Sequence, residues 1–472
     1  MNRFSARFPQ SRYPGLISRL ILLTVLSGSV FNAMAASVGC NDSFVELDDD
    51  ALVINVTPNA SNDTVNIQCA LDAAIEAGVP VVALSAGTFY ISNLIIEDFR
   101  GTLEGRTKTA TIIEVLDKSI DCVGMENAGM ASSIIKFVNG EPRFRYVTLR
   151  ADDACMGSGR PSNFLHFTGE AANAANCDND VIFGSVDRII LDGTSATSGP
   201  YVGVSAWPEG DNLGGCKVTL LGTFKLNRSE LFNTLFGVMT TMKGGAQVDI
   251  NFNEFHDHQI AVYLLDSNQN TTITANKFFS TSTIQGFYNG VSIATLSASA
   301  PATTRAVVHN NIFEVSSSAG GPSVAVNGVQ EGRIASISSV VSNNKFNLGG
   351  SETFGVYFGD ISNTHVSANR FTGDGNGAVF VGGITDVSGW TITANIGLGG
   401  FSSAIGGDVS LGETTSECIV GPEQNATVID QGSGNEILVV TDSSTLESGF
   451  KRKLVRDAIA GQLRRASELN AQ

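Results

Sequence analysis

The chain has 472 residues, with 46 acidic against 29 basic side chains and a formal net charge of −17. This acidity excludes binding to nucleic acid and to anionic membrane surfaces, because both depend on lysine and arginine side chains that neutralise phosphate. A polyanionic polysaccharide would bind only through bridging Ca²⁺ or through a local basic patch that outweighs the overall field.

The N-terminus carries the pattern of a secretory signal peptide. The apolar run Leu20–Phe31 follows four arginines and no acids, and Ala33, Met34 and Ala35 come after it as a small-residue cleavage site. The run is shorter than the ~20 residues that a membrane span needs. We therefore expect cleavage after Ala35, which removes residues 1–35 and leaves a chain of charge −21. That chain is predicted to be secreted, periplasmic or on the cell surface, with no transmembrane span.

Seven cysteines remain in the predicted mature chain, and an oxidising compartment favours their pairing. Neighbours in the sequence suggest three disulfides with one cysteine left over, although spacing alone does not determine the connectivity: Cys40–Cys69, Cys122–Cys155 and Cys177–Cys216, leaving Cys418. No pair has the close spacing of a zinc site, so no metal site is predicted.

The segment 36–80 is predicted to contain a short amphipathic helix. Ile67, Leu71 and Ile75 recur at helical spacing and would share one face. Such a helix suits the open end of a sheet, where an exposed strand edge needs cover. We therefore interpret 36–80 as an N-terminal cap.

An asparagine recurs two residues before phenylalanine and three after isoleucine or valine. The five positions are Asn253, Asn276, Asn311, Asn344 and Asn369. Their intervals are 23, 35, 33 and 25 residues, and Asn395 follows after 26 more with Gly397 in place of the phenylalanine. Periods of this length indicate a repeat architecture, and the Gly, Ser, Thr, Val and Phe content favours strands over helices.

Each unit is predicted to be a strand, a turn and a second strand carrying Ile or Val, followed by Asn and Phe. A unit of 23–26 residues is too short for a propeller blade of about 40–45 residues. It suits one coil of a parallel β-helix, with the two longer intervals carrying an inserted loop. Stacked coils would place each asparagine over the next, so that the amides form a hydrogen-bonded ladder while Ile, Val and Phe fill the core.

These motifs resemble the secreted right-handed parallel β-helix superfamily with the pectin-lyase-like fold. The resemblance rests on the repeated [VI]-x-x-N-x-F coil and on residues 63–113, where a helix precedes a strand with Gly87, Thr88 and Phe89. It implies an all-β protein with a parallel β-helix solenoid over residues 81–442. The superfamily includes lyases, hydrolases, epimerases, phage spikes and adhesins, so the resemblance predicts a fold and not an activity.

The C-terminal segment 443–472 changes character. Six basic and three acidic residues accompany an apolar stripe at approximately helical spacing: Leu446, Phe450, Leu454, Ile459, Leu463 and Ala466. A basic amphipathic helix can bind a membrane surface or a partner. We favour docking of this predicted helix on the last coil of its own acidic solenoid.

The strands between the asparagines predict one outward stripe, formed by Tyr263, Ser292, Ala325, Tyr357 and Phe380. The stripe contains no charge, whereas glycoside hydrolysis needs two carboxyl groups about 5–10 Å apart. The acidic, histidine and Arg-Lys motifs of a polygalacturonase are not recognisable either, so that activity is not expected. Tyr263, Tyr357 and Phe380 are candidate sugar-binding residues, and ordinary strand propensity is the simpler explanation for them.

Two short clusters carry candidate catalytic residues. The first contains His256, Asp257 and His258, in which an aspartate can orient an imidazole that titrates near neutral pH, and we expect the two histidines to share one strand face. The second contains Arg150, Asp152 and Asp153, in which arginine can abstract a proton while an acid or Ca²⁺ neutralises a uronate. Polar turn formation is the competing and favoured explanation for both clusters.

The sequence therefore leaves two functional hypotheses. One is a secreted sugar-processing protein such as a polysaccharide lyase, with no cofactor other than Ca²⁺ if it is a lyase. The other is a non-catalytic structural or adhesive β-helix. The expected partner in both is a polysaccharide or a cell-surface glycan, and no oligomeric state follows from the sequence.

Overall fold

The computed structural model describes one unit that begins at Cys40. Its described residues are 40–48, 50–115, 132–151, 162–169, 179–193, 202–207, 219–242, 244–265, 269–280, 288–295, 305–316, 321–328, 338–350, 353–359, 364–382, 387–395, 397, 401, 408–424 and 426–440. The predicted signal peptide, the predicted C-terminal helix and four of the seven cysteines (Cys122, Cys155, Cys177 and Cys216) lie outside these residues.

Strands dominate the described chain, and they are numbered here in chain order around one helix, α1 (Thr64–Ala77), which lies between β2 and β3. The first thirteen are β1 Val45–Asp48, β2 Val53–Val56, β3 Val81–Leu84, β4 Gly87–Ile91, β5 Leu94–Glu97, β6 Thr102–Gly105, β7 Thr111–Val115, β8 Ser132–Val138, β9 Arg143–Arg145, β10 Thr148–Ala151, β11 Ser162–Thr168, β12 Asn179–Asp187 and β13 Ile190–Gly193. The next thirteen are β14 Val202–Ala206, β15 Thr219–Asn227, β16 Glu230–Phe232, β17 Phe236–Thr240, β18 Ala246–Asn251, β19 Glu254–His256, β20 Ile260–Leu265, β21 Gln269–Thr274, β22 Lys277–Ser280, β23 Asn289–Thr295, β24 Arg305–His309, β25 Ile312–Val315 and β26 Gly321–Gly328. The last thirteen are β27 Ser338–Ser342, β28 Lys345–Leu348, β29 Thr353–Gly359, β30 His365–Ser367, β31 Arg370–Gly373, β32 Gly377–Gly382, β33 Val387–Ser388, β34 Thr391–Thr393, β35 Val409–Leu411, β36 Thr415–Ser416, β37 Ile419–Gln424, β38 Val428–Asp430 and β39 Glu436–Val440.

The strands form three long sheets, to which each full coil contributes one strand apiece. Sheet A has fifteen strands in the order β1-β2-β3-β6-β9-β12-β15-β18-β21-β24-β27-β30-β34-β37-β39. Sheet B has ten, in the order β4-β7-β10-β13-β16-β19-β22-β25-β28-β31. Sheet C has twelve, in the order β5-β8-β11-β14-β17-β20-β23-β26-β29-β32-β35-β38. Within the described chain, only the β1–β2 pair is antiparallel, and β33 and β36 make a separate two-stranded sheet. The predicted solenoid is confirmed. Each full coil has three strands where the sequence predicted two, and the additional strand is the short one in sheet B that carries the phenylalanine of the repeat.

The predicted asparagine ladder is present at the corner between sheets A and B. The Asn253 amide donates to Asn276 Oδ1 at 3.0 Å, and the same contact repeats from Asn276 to Asn311, each amide also donating to a backbone carbonyl. The ladder continues through Asn344, Asn369 and Asn395. Because these side chains are buried, this mutual pairing satisfies polar groups that would otherwise be costly in the core.

The inward column of sheet B forms an aromatic stack next to the ladder. Five buried phenylalanines lie face to face, with adjacent ring centroids 4.6–5.0 Å apart: Phe255, Phe278, Phe313, Phe346 and Phe371. Sheet C accommodates these rings with small residues. At Gly355 an added Cβ would lie 2.5 Å from the Phe371 ring, so the sequence needs glycine there for close packing.

The predicted helix is present as α1, but one residue of its predicted apolar face is not buried. Ile67 and Leu71 on α1 are buried, but Ile75 is 36% exposed. The buried face is completed by Ala70 and Ala74, because the short helix rests on a narrow coil. The predicted Cys40–Cys69 disulfide is present and ties the start of the unit to α1.

Cys418 lies immediately before β37 of sheet A, whereas the ladder asparagines follow the strands of that sheet. It is buried and not disulfide-bonded, as expected for the cysteine left over by sequence pairing. Its backbone N–H donates to Asn435 Oδ1 at 2.9 Å. Asn435 immediately precedes β39, at the same corner as Cys418, so it does not continue the ladder. Burial raises the pKa of the Cys418 thiol and keeps it protonated near neutral pH.

Candidate functional site

The outer face of sheet B carries charged and aromatic side chains that the coils bring together. Each short strand points one side chain into the core and two outward, which creates two outward columns. The leading column contains Thr148, Ile190, Glu230, Glu254, Lys277 and Ile312. The trailing column contains Arg150, Asp192, Phe232, His256, Phe279 and Glu314. We call these twelve residues the sheet B strip.

The centre of the sheet B strip is a three-ring stack. The His256 imidazole lies between Phe232 at 4.4 Å and Phe279 at 4.7 Å, measured between ring centroids, with interplanar angles of 13° and 16°. Burial between the rings lowers the pKa of His256, with the neighbouring carboxylates acting in the opposite direction. His256 is therefore a neutral imidazole near pH 7.

Glutamates and lysines flank this stack. Glu254 accepts a hydrogen bond from Lys277 at 2.7 Å and lies 3.7 Å from His256 Nε2. The Lys277 hydrogen bond lowers the pKa of Glu254, which is thus a carboxylate near neutral pH. Glu230 is the register partner of Glu254 on the adjacent strand and pairs with Lys108, so two carboxylates lie one strand spacing apart.

One residue from each predicted catalytic cluster lies in the trailing column of the sheet B strip. Arg150 and His256 both lie in the trailing column of the strip, three strand steps apart, which is roughly 14 Å. The described partner of Arg150 is Asp192, at 3.6 Å between Nε and Oδ2. Asp152 and Asp153 lie outside the described residues.

The expectation that His256 and His258 share one strand face is wrong. Asp257 between them has a φ of 55°, and this left-handed turn sends His258 into the core. There Nδ1 lies 3.0 Å from the Thr234 carbonyl oxygen and Nε2 lies 3.0 Å from that of Leu231. Burial lowers the pKa of His258 to about 4, so this histidine is a neutral packing residue at neutral pH.

The predicted aromatic stripe lies on the outer face of sheet C, in the register expected from the sequence. Tyr263, Ser292, Ala325, Tyr357 and Phe380 are consecutive partners in that order. Tyr357 and Phe380 stack at 5.2 Å with an interplanar angle of 3°. Ser292 and Ala325 are 4% and 1% exposed, so the stripe is interrupted by two buried positions. Sugar binding by these aromatic residues stays a prediction.

Comparison with known proteins supports the fold alone. No family model and no curated protein matches the chain. Among solved structures, the Dettilon tailspike protein gp208 has 12% identity and a TM-score of 0.54, covering 82% of this chain and 68% of its own. A mutant of the periplasmic alginate epimerase AlgG has 10% identity and a TM-score of 0.48, covering 85% of this chain and 81% of its own. The surface adhesin PfbA of Streptococcus pneumoniae has 13% identity and a TM-score of 0.46, covering 72% of this chain and 88% of its own.

Together with the three parallel sheets, the tailspike match decides the architecture. The chain is a right-handed parallel β-helix. In its described part, this β-helix has no helix long and apolar enough to cross a membrane. The same residues hold no group of three His, Cys, Asp or Glu side chains that could bind a metal ion.

Sequence reasoning missed most of the sheet B strip. Phe232, Phe279, Glu230, Glu254 and Lys277 each immediately precede or follow an inward Leu or Phe. The usable signal was therefore present in the repeat itself, one residue before and one after the phenylalanine of each coil. Strands of three or four residues show too little alternation for the outward faces to be read directly.

Proposed function

We propose that this protein is a secreted carbohydrate-binding β-helix whose glycan ligand lies along the sheet B strip. The observation that carries the proposal is the Phe232–His256–Phe279 stack with Glu254 and Lys277 directly beside it. Aromatic carbons next to charged hydrogen-bonding groups suit a sugar ring, which has apolar C–H edges and polar hydroxyls.

Charge supports a neutral or weakly charged glycan at this strip. Arg150 lies beside Asp192, and Lys277 beside Glu254. The strip as a whole is net negative, because its two cations are accompanied by four carboxylates: Asp192, Glu230, Glu254 and Glu314. The ion pairs offer donors and acceptors to hydroxyls without attracting a polyanion. The whole-chain charge of −17 disfavours a polyanion further.

The Cys40–Cys69 disulfide supports the secreted location, since disulfides persist mainly in oxidising compartments. A glycan outside the cytoplasm, in a polysaccharide or on a cell surface, is then the natural partner for the strip. The proposal of export also draws on the N-terminal signal pattern.

A lyase reaction is the second candidate, favoured by the neutral His256 beside Glu254 and Lys277. His256 would accept the C5 proton of a uronate as the C4–C5 double bond forms and the C4–O4 bond breaks. The leaving oxygen would take a proton from water, and Lys277 or a bound Ca²⁺ would neutralise the uronate carboxylate. Arg150 with Asp152 or Asp153 is the alternative catalytic set, while Asp257 would act only by orienting His256.

Binding to the strip is tested with glycan microarrays followed by calorimetry on the best ligand. Phe232→Ala and Phe279→Ala should each weaken binding about fivefold to a hundredfold, because loss of an aromatic contact costs about 1–3 kcal/mol. The matched control is Phe183→Ala, which removes a ring that is 47% exposed on a strand of sheet A. Equal losses in all three variants, or no glycan bound by the unaltered protein, would overturn the proposal.

The lyase candidate is tested separately on uronate and neutral polysaccharides, with and without Ca²⁺. Release of unsaturated sugars, followed by ultraviolet absorbance, would establish lyase activity. Loss of that activity in His256→Ala would assign the base to the ring stack, and loss in Arg150→Ala alone would assign it to the arginine cluster. Glycan binding without any product would leave the binding proposal standing and exclude the lyase.

A further inference from the structure

A concave site lies on the outer side of sheet A near the N-terminal end. It is a cleft of about 370 Å³ lined by polar and charged groups, including Ser85, Glu104, Arg106, Arg145 and Tyr146. This volume is at the small end of the range for ligand pockets, roughly 300–1,000 Å³. The cleft is formed by the first coils of the solenoid and is separate from the Phe232–His256–Phe279 stack.

The Tyr146 ring is held between two guanidinium groups. Arg145 lies 5.3 Å and Arg188 5.5 Å from the ring centroid, and Arg188 donates to the Tyr146 hydroxyl at 2.6 Å. Glu104 accepts a hydrogen bond from Arg145 Nε at 2.6 Å, which fixes that side chain at the cleft and leaves its terminal NH₂ groups for another acceptor.

Arg106 completes the basic wall of the cleft. Its guanidinium has no ion pair with any residue that the structure describes, in contrast to Arg145 and Arg188. The chain approaches closely here because Gly105 precedes it: an added Cβ at Gly105 would lie 2.3 Å from the Tyr146 carbonyl oxygen. Glycine therefore lets the turn that carries Arg106 lie against the corner at Tyr146.

Local charge at this cleft opposes the charge of the whole chain. The lining contains two arginines, Arg106 and Arg145, against one carboxylate, that of Glu104. The surplus of positive charge is concentrated in a concave site on a chain of net charge −17. A compact anion gains from this arrangement, whereas a long polyanion would meet the surrounding negative field.

We propose that the cleft binds a carboxylate carried by a single sugar unit, such as a uronic acid residue at the end or branch of a glycan. The carboxylate accepts from the guanidinium groups of Arg106 and Arg145, and Ser85 and the Tyr146 ring border the rest of the sugar. Guanidinium forks match the geometry of a carboxylate and can donate two parallel hydrogen bonds. The proposal does not depend on the sheet B strip.

The test is calorimetric titration with glucuronate, with glucose as the neutral control and inorganic sulfate as the free-anion control. Glucuronate should bind with an affinity that falls as salt rises, while glucose should not bind at the same concentration. Arg106→Gln should weaken glucuronate binding about tenfold without lowering the thermal unfolding midpoint. Arg100→Gln is the matched control, since its side chain is 73% exposed and lies away from the cleft lining.

Arg106→Lys provides a second variant that keeps the positive charge but removes the guanidinium fork, and it should also weaken binding. Three results would overturn the proposal: no binding of glucuronate, an equal loss in Arg100→Gln, or sulfate binding as tightly as glucuronate. The last result would mean that the cleft attracts any anion and does not recognise the sugar. None of these results bears on glycan binding at the sheet B strip, which Phe232→Ala and Phe279→Ala test.

Discussion

Each asparagine of the ladder serves several backbone and side-chain groups at once. Asn311 Oδ1 accepts from both the backbone N–H and the side-chain amide of Asn276, and Asn311 Nδ2 donates to the Ile273 carbonyl and to Asn344. The sequence predicted this role, because identical residues at one period can pair with one another only if they stack. It could not predict that the ladder also ties the backbones of three successive coils.

Replacing one rung tests how much the ladder stabilises the solenoid. Asn311→Ala leaves the buried Asn276 donors without an acceptor, at about 1–3 kcal/mol for each group, so we expect a loss of about 3 kcal/mol or more in the free energy of unfolding. Chemical denaturation followed by circular dichroism measures it. The control is Asn347→Ala, which removes an exposed amide bonded to Glu314 and should change stability by less than about 1 kcal/mol. Similar losses in both variants would contradict the ladder's role.

Buried histidine gives a second prediction at the residue scale. The pKa of His258 falls from 6.5 to about 4 on folding, so the unfolded chain binds the proton more tightly. Protonation of this histidine in the unfolded chain therefore lowers the free energy of unfolding as the pH falls from 6.5 towards 4, by about 3 kcal/mol in total. Above pH 6.5 this loss is absent. Burial lowers the pKa of His166 to about 3. Protonation of His166 in the unfolded chain therefore also lowers the free energy of unfolding as the pH falls.

The measurement is the unfolding free energy of the protein and of His258→Gln between pH 4 and 7. The variant should be less stable at pH 7, because it loses the buried hydrogen bonds of the imidazole with the Leu231 carbonyl and the Thr234 hydroxyl, and the difference should shrink as the pH falls. A constant difference across this range would contradict the assignment. Regular strand alternation predicted the wrong face for His258, because the left-handed turn at Asp257 interrupts the strand.

At the scale of elements, the short strands of sheet B combine a core and a surface function. Every strand of this sheet points at least one aliphatic or aromatic side chain inward, from Phe89 in β4 to Phe371 in β31. After Phe89, the next four strands use Ile or Leu at this position, and the strands from β19 onward use Phe. The two outward residues on each strand are thus free to carry the sheet B strip.

The aromatic column can be tested by size. Phe313→Ala should cost about 3–5 kcal/mol of unfolding free energy, because it leaves a cavity between Phe278 and Phe346. Phe313→Leu should cost less than about 1.5 kcal/mol, since leucine occupies the equivalent position at Leu191 and Leu231. Thermal and denaturant unfolding of both variants provides the comparison. Equal costs would indicate that the column depends on ring stacking and not on filled volume.

At the scale of the whole molecule, the sequence predicted the architecture better than the site. The repeat fixes where coils begin, which residues point inward and which corner carries asparagine. The sheet B strip instead combines residues such as Arg150, Glu230 and Lys277 from different coils. Their proximity depends on strand register across inserted loops, which the period alone does not determine, and the third strand of each coil was not predicted.

Strand register also explains how one acidic chain can carry two surfaces of different charge, the sheet B strip and the cleft beside Tyr146. The sheet B strip carries four carboxylates against two cations, whereas the cleft beside Tyr146 is lined by two arginines from separate coils and one carboxylate. A local basic patch was one of the two conditions under which the sequence allowed an anionic glycan. The cleft meets that condition for a single carboxylate, while the strip offers a longer path for a glycan of low charge.

The location of the bound glycan tests this account most directly. A crystal structure of the protein with the best-binding oligosaccharide should show density for the sugar along Phe232, His256 and Phe279 on the outer face of sheet B. Density confined to Tyr357 and Phe380 on sheet C, with the sheet B strip empty, would contradict the central claim.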